Sequence, residues 1–191
     1  MSSSVILTGF MGTGKSTIGK RLASKLGWRF IDTDEQIVKV AGKSVDRIFA
    51  DDGEARFRAL ERDAIAALAE SSIRCPRCGE SEHLVVSTGG GAIADASNLS
   101  AMRRAGAIVC LSARPDVIAA RVSRNAARRP KLLEGGKPLV ERITDLLAAR
   151  SEAYAQADFT VDTSDMTIEA AVDRIIAELQ AGGAISCRPS A

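Results

Sequence analysis

Apolar residues fall into two alternating patterns along the chain. Short runs rich in Val, Ile and Leu occur at 5–8, 84–87 and 107–111, with briefer ones at 29–32 and 159–161. Their length and β-branched content predict buried strands. Between them, apolar positions recur at helical spacing. This predicts helices over 15–26, 35–40, 45–49, 54–70, 96–104, 115–122, 139–154 and 168–179. The stripe Phe57, Leu60, Ala64 and Leu68 is an example. Strands that alternate with helices predict a parallel sheet covered on both faces. The expected fold class is therefore α/β: three α/β/α layers around five parallel strands. No repeat or linker divides the chain. Residues 1–180 read as one domain and 181–191 as a disordered tail.

Composition narrows the picture. A chain of 191 residues suits one domain with a sizeable core. Hydrophobic residues make up 46% and charged residues 26%, the balance of a soluble globular protein. No apolar run reaches the length of a membrane span. The first strand follows Met-Ser-Ser-Ser at once, which leaves no room for a signal peptide and predicts a cytoplasmic protein. A net charge of +2, with one Trp and one Tyr, argues against nucleic acid as partner. The arginines are clustered nonetheless, at 121, 124, 128 and 129, with Lys131 beside them. Of four cysteines, Cys110 falls in a strand and reads as a core thiol. Cys75 and Cys78 form one CxxC, half of a zinc site, with His83 as a third candidate ligand and no fourth. A polar surface insertion with reduced thiols is the plainer reading.

Chemistry enters where the first strand ends. Gly9-Phe10-Met11-Gly12-Thr13-Gly14-Lys15-Ser16-Thr17 is a Gly-x4-Gly-Lys-Ser loop between a strand and a helix. That is the setting a phosphate-binding P-loop requires. The glycines let successive N–H groups converge on phosphate, and the helix adds its positive end. Gly12, Thr13, Gly14 and Thr17 line such a site. Lys15 reaches the β- and γ-phosphates, and the Ser16 hydroxyl offers a ligand to Mg²⁺. Two more polar elements follow strands: Asp32-Thr33-Asp34 and Gly89-Gly90-Gly91. In open α/β sheets, such ends meet in one cleft. A phosphotransferase needs one carboxylate for hydrated metal and one for the attacking hydroxyl. Asp32 and Asp34 can serve, or one of them can simply cap the next helix. Arg58 sits off the apolar stripe with Glu54 and Glu61 in pairing reach. It is either a surface ion pair or a carboxylate-binding arginine held by Glu61.

Together these pieces resemble the shikimate kinase family, a P-loop NTPase with a nucleoside monophosphate kinase-like fold and a mobile lid. The resemblance rests on Gly-Phe-Met-Gly-Thr-Gly-Lys-Ser-Thr-Ile-Gly-Lys at 9–20 and Phe-Ile-Asp-Thr-Asp at 30–34. Gly-Glu-x-x-Phe-Arg-x-x-Glu at 53–61, Ser-Thr-Gly-Gly-Gly at 87–91 and Arg-Pro at 129–130 add to it. Ala-Ala-Arg-x-x-x-Tyr at 148–154 and Ala-Asp-Phe-Thr-Val-Asp-Thr at 157–163 complete it. It implies transfer of the ATP γ-phosphoryl group to the 3-hydroxyl of shikimate, with Mg²⁺ as cofactor, by a monomer. Asp34 would be the base and bind shikimate hydroxyls, and Asp32 would hold Mg²⁺ with Ser16. Arg58 and Arg150 would clamp the substrate carboxylate. Gly89, Gly90 and Gly91 would line the pocket, with Phe49 and Phe57 as its apolar wall. The shikimate-binding segment would be 33–62 and the lid 123–138. In the lid, Arg129 would reach both phosphate and substrate, and Arg121 would stack on adenine.

Two departures qualify the resemblance. Arg128-Arg129-Pro130-Lys131 leaves the lid register open by one, so Arg128 competes with Arg129 and Arg124 with Arg121. The segment from Cys75 to His83 is not required by the core pattern and is expected before the third strand, away from the cleft. Among rivals, a gluconate kinase lacks a reason for paired arginines. A GTPase would carry an Asn/Thr-Lys-x-Asp motif, which is absent.

Overall fold

A computed structural model describes residues 4–73, 83–123 and 137–185. Five strands, β1 (Ser4–Thr8), β2 (Arg29–Asp32), β3 (Leu84–Ser87), β4 (Gly106–Ser112) and β5 (Phe159–Asp162), form one sheet. Every pairing is parallel and the order is β2-β3-β1-β4-β5. The register sets Ile6 between Val86 and Ile108. The inner strands β1 and β3 are buried throughout and β4 over all but its last residue, while β2 and β5 at the edges are partly exposed. Runs of Val, Ile and Leu without alternation are what burial on both faces requires.

The helices are α1 (Lys15–Leu26), α2 (Thr33–Ala41), α3 (Val45–Asp51), α4 (Gly53–Ile73) and α5 (Ala96–Ala105). They continue with α6 (Pro115–Ser123), α7 (Leu139–Ala148), α8 (Ser151–Tyr154) and α9 (Ile168–Ala181). Helices α1 and α9 cover one sheet face, packing Leu22, Val172 and Ile175 on Leu7 and Val109. Helices α4 and α5 cover the other, where Ile65 and Met102 meet Ile6, Val86 and Ile108. Truncating one of these side chains to Ala costs about 2–5 kcal/mol. Two smaller clusters lie beyond the strand ends. Ile37, Ile48, Phe57 and Leu60 unite α2, α3 and the start of α4. Phe10, Ile118 and Ile143 unite the first loop with α6 and α7. Helix α4 belongs to both a sheet face and the α2–α3 cluster, so its first turns are fixed at the rim of the sheet.

The three-layer expectation holds, with local corrections. The helix expected over 139–154 is broken into α7 and α8. At the break, Arg150 leaves helical geometry (φ −114, ψ 3), and its N–H bonds Leu147 O rather than the carbonyl four residues back. Helical spacing continues across the break, so the apolar pattern carries no trace of it. A 3-10 turn over Ala92–Ala94 follows the glycines. Helix α9 runs to Ala181, and Ala184 and Ile185 pack on the α1–α9 core. The chain therefore stays packed past the point where the tail was expected to begin; residues 186–191 lie outside the described residues.

Candidate active site

The loop after β1 turns on glycines that no other residue can replace. Gly9 has φ 129, and a Cβ there would lie 2.1 Å from Leu111 O. Gly14 caps α1 in the left-handed region at φ 98. Thr13 is buried, and its hydroxyl donates to Phe10 O at 2.8 Å, fastening the loop. Lys15 Nζ arches back over the loop to Gly9 O and Phe10 O at 2.8 and 3.0 Å. Its ammonium thus lies across the concave side, where an anion would be received. Thr17 is exposed and lines the cleft.

Across the cleft, β2 ends on Asp32 and α2 starts at Thr33, two residues before the start read from the pattern. Asp32 is the helix cap: its Oδ1 accepts from Asp34 N at 3.0 Å. Its Oδ2 accepts from Ser16 Oγ at 2.8 Å. Capping and facing the phosphate loop therefore fall to the same carboxylate. Asp34, one helical position inside, turns into the cleft. Burial pushes its pKa up to about 6, reinforced by Asp32 and Glu61 and opposed by Lys15 and Arg58. Its Oδ1 is buried with no partner among the described residues.

Arg58, in the third turn-position of α4's exposed side by pattern, is instead two-thirds covered and faces the same cleft. Its Nη1 donates to Glu61 Oε2 at 2.8 Å; Nε and Nη2 donate to Glu54 Oε1 at 3.3 and 3.1 Å. Burial works against the guanidinium charge, but Glu61 and Glu54 more than offset it and hold the pKa above its ordinary value. Glu61 is 1% exposed, and its second oxygen, Oε1, is buried without a partner among the described residues. The glycines after β3 explain the space. A Cβ on Gly89 would sit 2.6 Å from Glu61 Oε1 and 3.4 Å from Asp34 Oδ1. A Cβ on Gly91 would sit 3.1 Å from both Nη atoms of Arg58. Glycine keeps these oxygens and the two-nitrogen edge of Arg58 open to a ligand. An orphaned buried acceptor is costly, and a ligand hydroxyl would satisfy it.

Two further arginines close the ring. Arg150, at the α7–α8 break, stands over the Phe10 ring with its guanidinium carbon 5.6 Å from the centroid. Arg121, on α6, donates to Thr163 O at 2.7 Å, Thr163 Oγ1 at 3.1 Å and Gly12 O at 3.4 Å. Phe49 and Phe57 stack at 4.6 Å and form an apolar wall. The resulting cleft, about 1430 Å³, runs from Met166 and Ile168 past the phosphate loop to Phe49. One end is lined by backbone donors and Lys15, the other by carboxylates and arginines.

The sequence model described as "Shikimate kinase" matches residues 11–180. The chain belongs to the shikimate kinase family. The shikimate kinase of Pelotomaculum thermopropionicum is 42% identical over 172 residues, covering 90% of this chain and 92% of that protein. That of Geobacter sulfurreducens is 44% identical over 171 residues, covering 90% and 87%. Shikimate kinase from Acinetobacter baumannii in complex with shikimate superposes with a TM-score of 0.81 at 28% identity, covering 95% of both chains. The enzyme from Bacteroides thetaiotaomicron gives 0.76 at 34% identity, covering 93% of this chain and 98% of that one.

Of the residues that likeness to shikimate kinases singles out, the fold brings Lys15, Ser16, Asp32, Asp34, Arg58, Gly89, Gly90, Gly91, Arg121 and Arg150 around one cleft. Arg124, Arg128 and Arg129 lie outside the described residues, as do Cys75 and Cys78. His83 stacks on Trp28 at 4.9 Å, beside the start of β2 and away from the cleft. Sequence reasoning overlooked Met166, and quoted Tyr154 and Thr163 in motifs without giving them a role. Thr163 is buried, and its Oγ1 lies 3.0 Å from both Thr13 O and Ser112 O, with one proton to give to either, joining β5 to the phosphate loop. The Asp-Thr pair at 162–163 was the available signal. Met166 is an exposed apolar side chain on the cleft wall, and nothing in the sequence sets it apart.

Proposed function

We infer that this chain transfers the γ-phosphoryl group of ATP to the 3-hydroxyl of shikimate, giving shikimate 3-phosphate and ADP on the route to chorismate and the aromatic amino acids. The observation that carries this reading is the meeting, in one cleft, of a phosphate loop with a buried carboxylate and a collared arginine. Gly12, Thr13, Gly14, Lys15, Ser16 and Thr17 hold the nucleotide phosphates, and Arg121 lies against the base. Arg58 and Arg150 receive the shikimate carboxylate, and Gly89–Gly91 let the ring approach. Asp34 accepts hydrogen bonds from shikimate hydroxyls. As the 3-oxygen attacks phosphorus and the bond to ADP breaks, the hydroxyl proton passes to the Asp34 carboxylate.

Mg²⁺ is the cofactor of this reading. The Ser16 hydroxyl and Asp32 Oδ2, 2.8 Å apart beside the loop, are the hard oxygen donors such a cation takes, with water and phosphate oxygens as the rest. It would neutralise charge developing between the phosphates. Lys15 does the same from the loop side, and Arg129, with Arg128 as the alternative, is the arginine that the family resemblance would add. A cytoplasmic monomer is part of this reading, as the family resemblance implies; no helix among the described residues is long and apolar enough to cross a membrane.

ADP release is measured with Mg-ATP and shikimate, beside gluconate and no acceptor. Turnover that requires shikimate is expected. Equal release with gluconate or without acceptor would overturn the reading.

A further inference from the structure

Tyr154 lies at the seam of two core clusters, against Ile6, Ile93 and their neighbours on one side and Phe10 and Ile143 on the other. Its ring is thus held from both sides, and its hydroxyl is aimed. The phenol O–H donates to Gly90 O at 2.7 Å. The Arg150 guanidinium faces the same oxygen, and its positive charge acts on it. A phenol has one proton to give; here it goes to the cleft backbone, and the lone pairs face a guanidinium. Burial raises the Tyr154 pKa, so the donor proton is retained.

The break between α7 and α8 makes this possible. Arg150 stands just before α8, and Tyr154 N bonds Arg150 O at 3.0 Å, one turn later. The two side chains rise on one side of the short helix. Arg150 then stands between the phenol on one side and the Phe10 face on the other. Gly90 is equally confined. A Cβ on it would lie 3.1 Å from Gly9 O and 3.6 Å from Met11 N. The peptide held by Tyr154 therefore abuts the phosphate loop itself.

We propose that the Tyr154 hydroxyl is a positioning device: it sets the Arg150 guanidinium and the Gly90 peptide in register, so that the acceptor's carboxylate and ring are fixed relative to the phosphate loop. This rests on the assignment of Arg150 and the glycines to shikimate.

Tyr154→Phe keeps the ring and removes only the oxygen. The shikimate KM is expected to rise about three- to tenfold, the loss of one or two hydrogen bonds. The KM for ATP should stay within about twofold, and Tm within a few degrees. The effect should also be smaller in an Arg150→Ala background, since part of it acts through that arginine. An unchanged shikimate KM, an equal rise in the ATP KM, or full additivity with Arg150→Ala would each overturn the proposal. Absence of any shikimate-dependent turnover in the parent enzyme would instead sink the underlying function.

Discussion

The two ends of the cleft are built in opposite ways. The phosphate end is made from one contiguous segment, residues 9–17, whose working atoms are mostly backbone N–H groups. Their placement follows from Gly9 and Gly14 at positive φ and from the start of α1. The acceptor end draws side chains from α2, α4, the loop after β3 and the α7–α8 break, which meet only because the sheet brings those elements together. The first end is neutral backbone with one mobile lysine. The second is a concentration of charge, with Arg58 bonded to Glu61, Asp34 facing the same gap beside Gly89, and two acceptor oxygens left open. Binding a phosphate chain needs converging dipoles, which local structure supplies. Selecting a hydroxy-acid needs opposed charges at fixed positions, which local structure cannot supply.

If the division is real, substitutions at the acceptor end change shikimate parameters and leave ATP parameters alone. Asp34→Asn is the strongest test. Loss of the general base should lower kcat about 10²- to 10⁴-fold, with ATP affinity kept, as read by initial rates and nucleotide titration. The same change should stabilise the empty protein. Asp34 titrates near 6 in the fold against an ordinary 3.8, so between these values the folded state holds a proton that the unfolded chain has lost. Stability therefore falls as pH rises through that window, by at most about 3 kcal/mol in all. Asn does not ionise, so the variant should melt a few degrees higher at neutral pH and show no such slope. In the parent enzyme, kcat/KM for shikimate should rise with pH through about 6; a flat profile would remove Asp34 from the base role.

Arg58→Ala comes next. It removes the carboxylate site and strands Glu61, which is 1% exposed. The shikimate KM should rise by about 10²-fold, with a stability loss of about 3–5 kcal/mol for the abandoned charge. An ATP KM that climbed in parallel would break the comparison. Gly89→Ala is a finer probe, since its methyl would lie 2.6 Å from Glu61 Oε1. We expect kcat/KM for shikimate to drop about tenfold, near the free energy of one overpacked contact. The smallest effect belongs to the other end. Arg121→Ala should raise the ATP KM only several-fold and leave the shikimate KM unchanged; the reverse pattern would move Arg121 out of the nucleotide end.

How far the sequence could be read follows the same division. The strands β2 and β3 and the helix α1 were legible to the residue, because apolar runs, glycines and caps are local signals. The phosphate loop was legible as chemistry for the same reason. Arg58 read equally well as a surface ion pair, since only the position of α4 at the sheet rim turns it into the cleft. The break at Arg150 left no mark in the helical spacing, and Tyr154 was a motif residue without a role until its hydroxyl was seen on Gly90 O.

The sequence by itself determined the α/β layering, the phosphate loop and the family motifs, because each rests on spacings within a few residues that constrain the backbone directly. The tertiary structure alone decided which acids and arginines meet. Asp32 serves as helix cap and Ser16 partner, Asp34 is held near pKa 6, and Arg58 is collared by Glu54 and Glu61. Those facts depend on distances between side chains far apart in sequence. Only the assembled sheet and its helices, with the burial they create, set them.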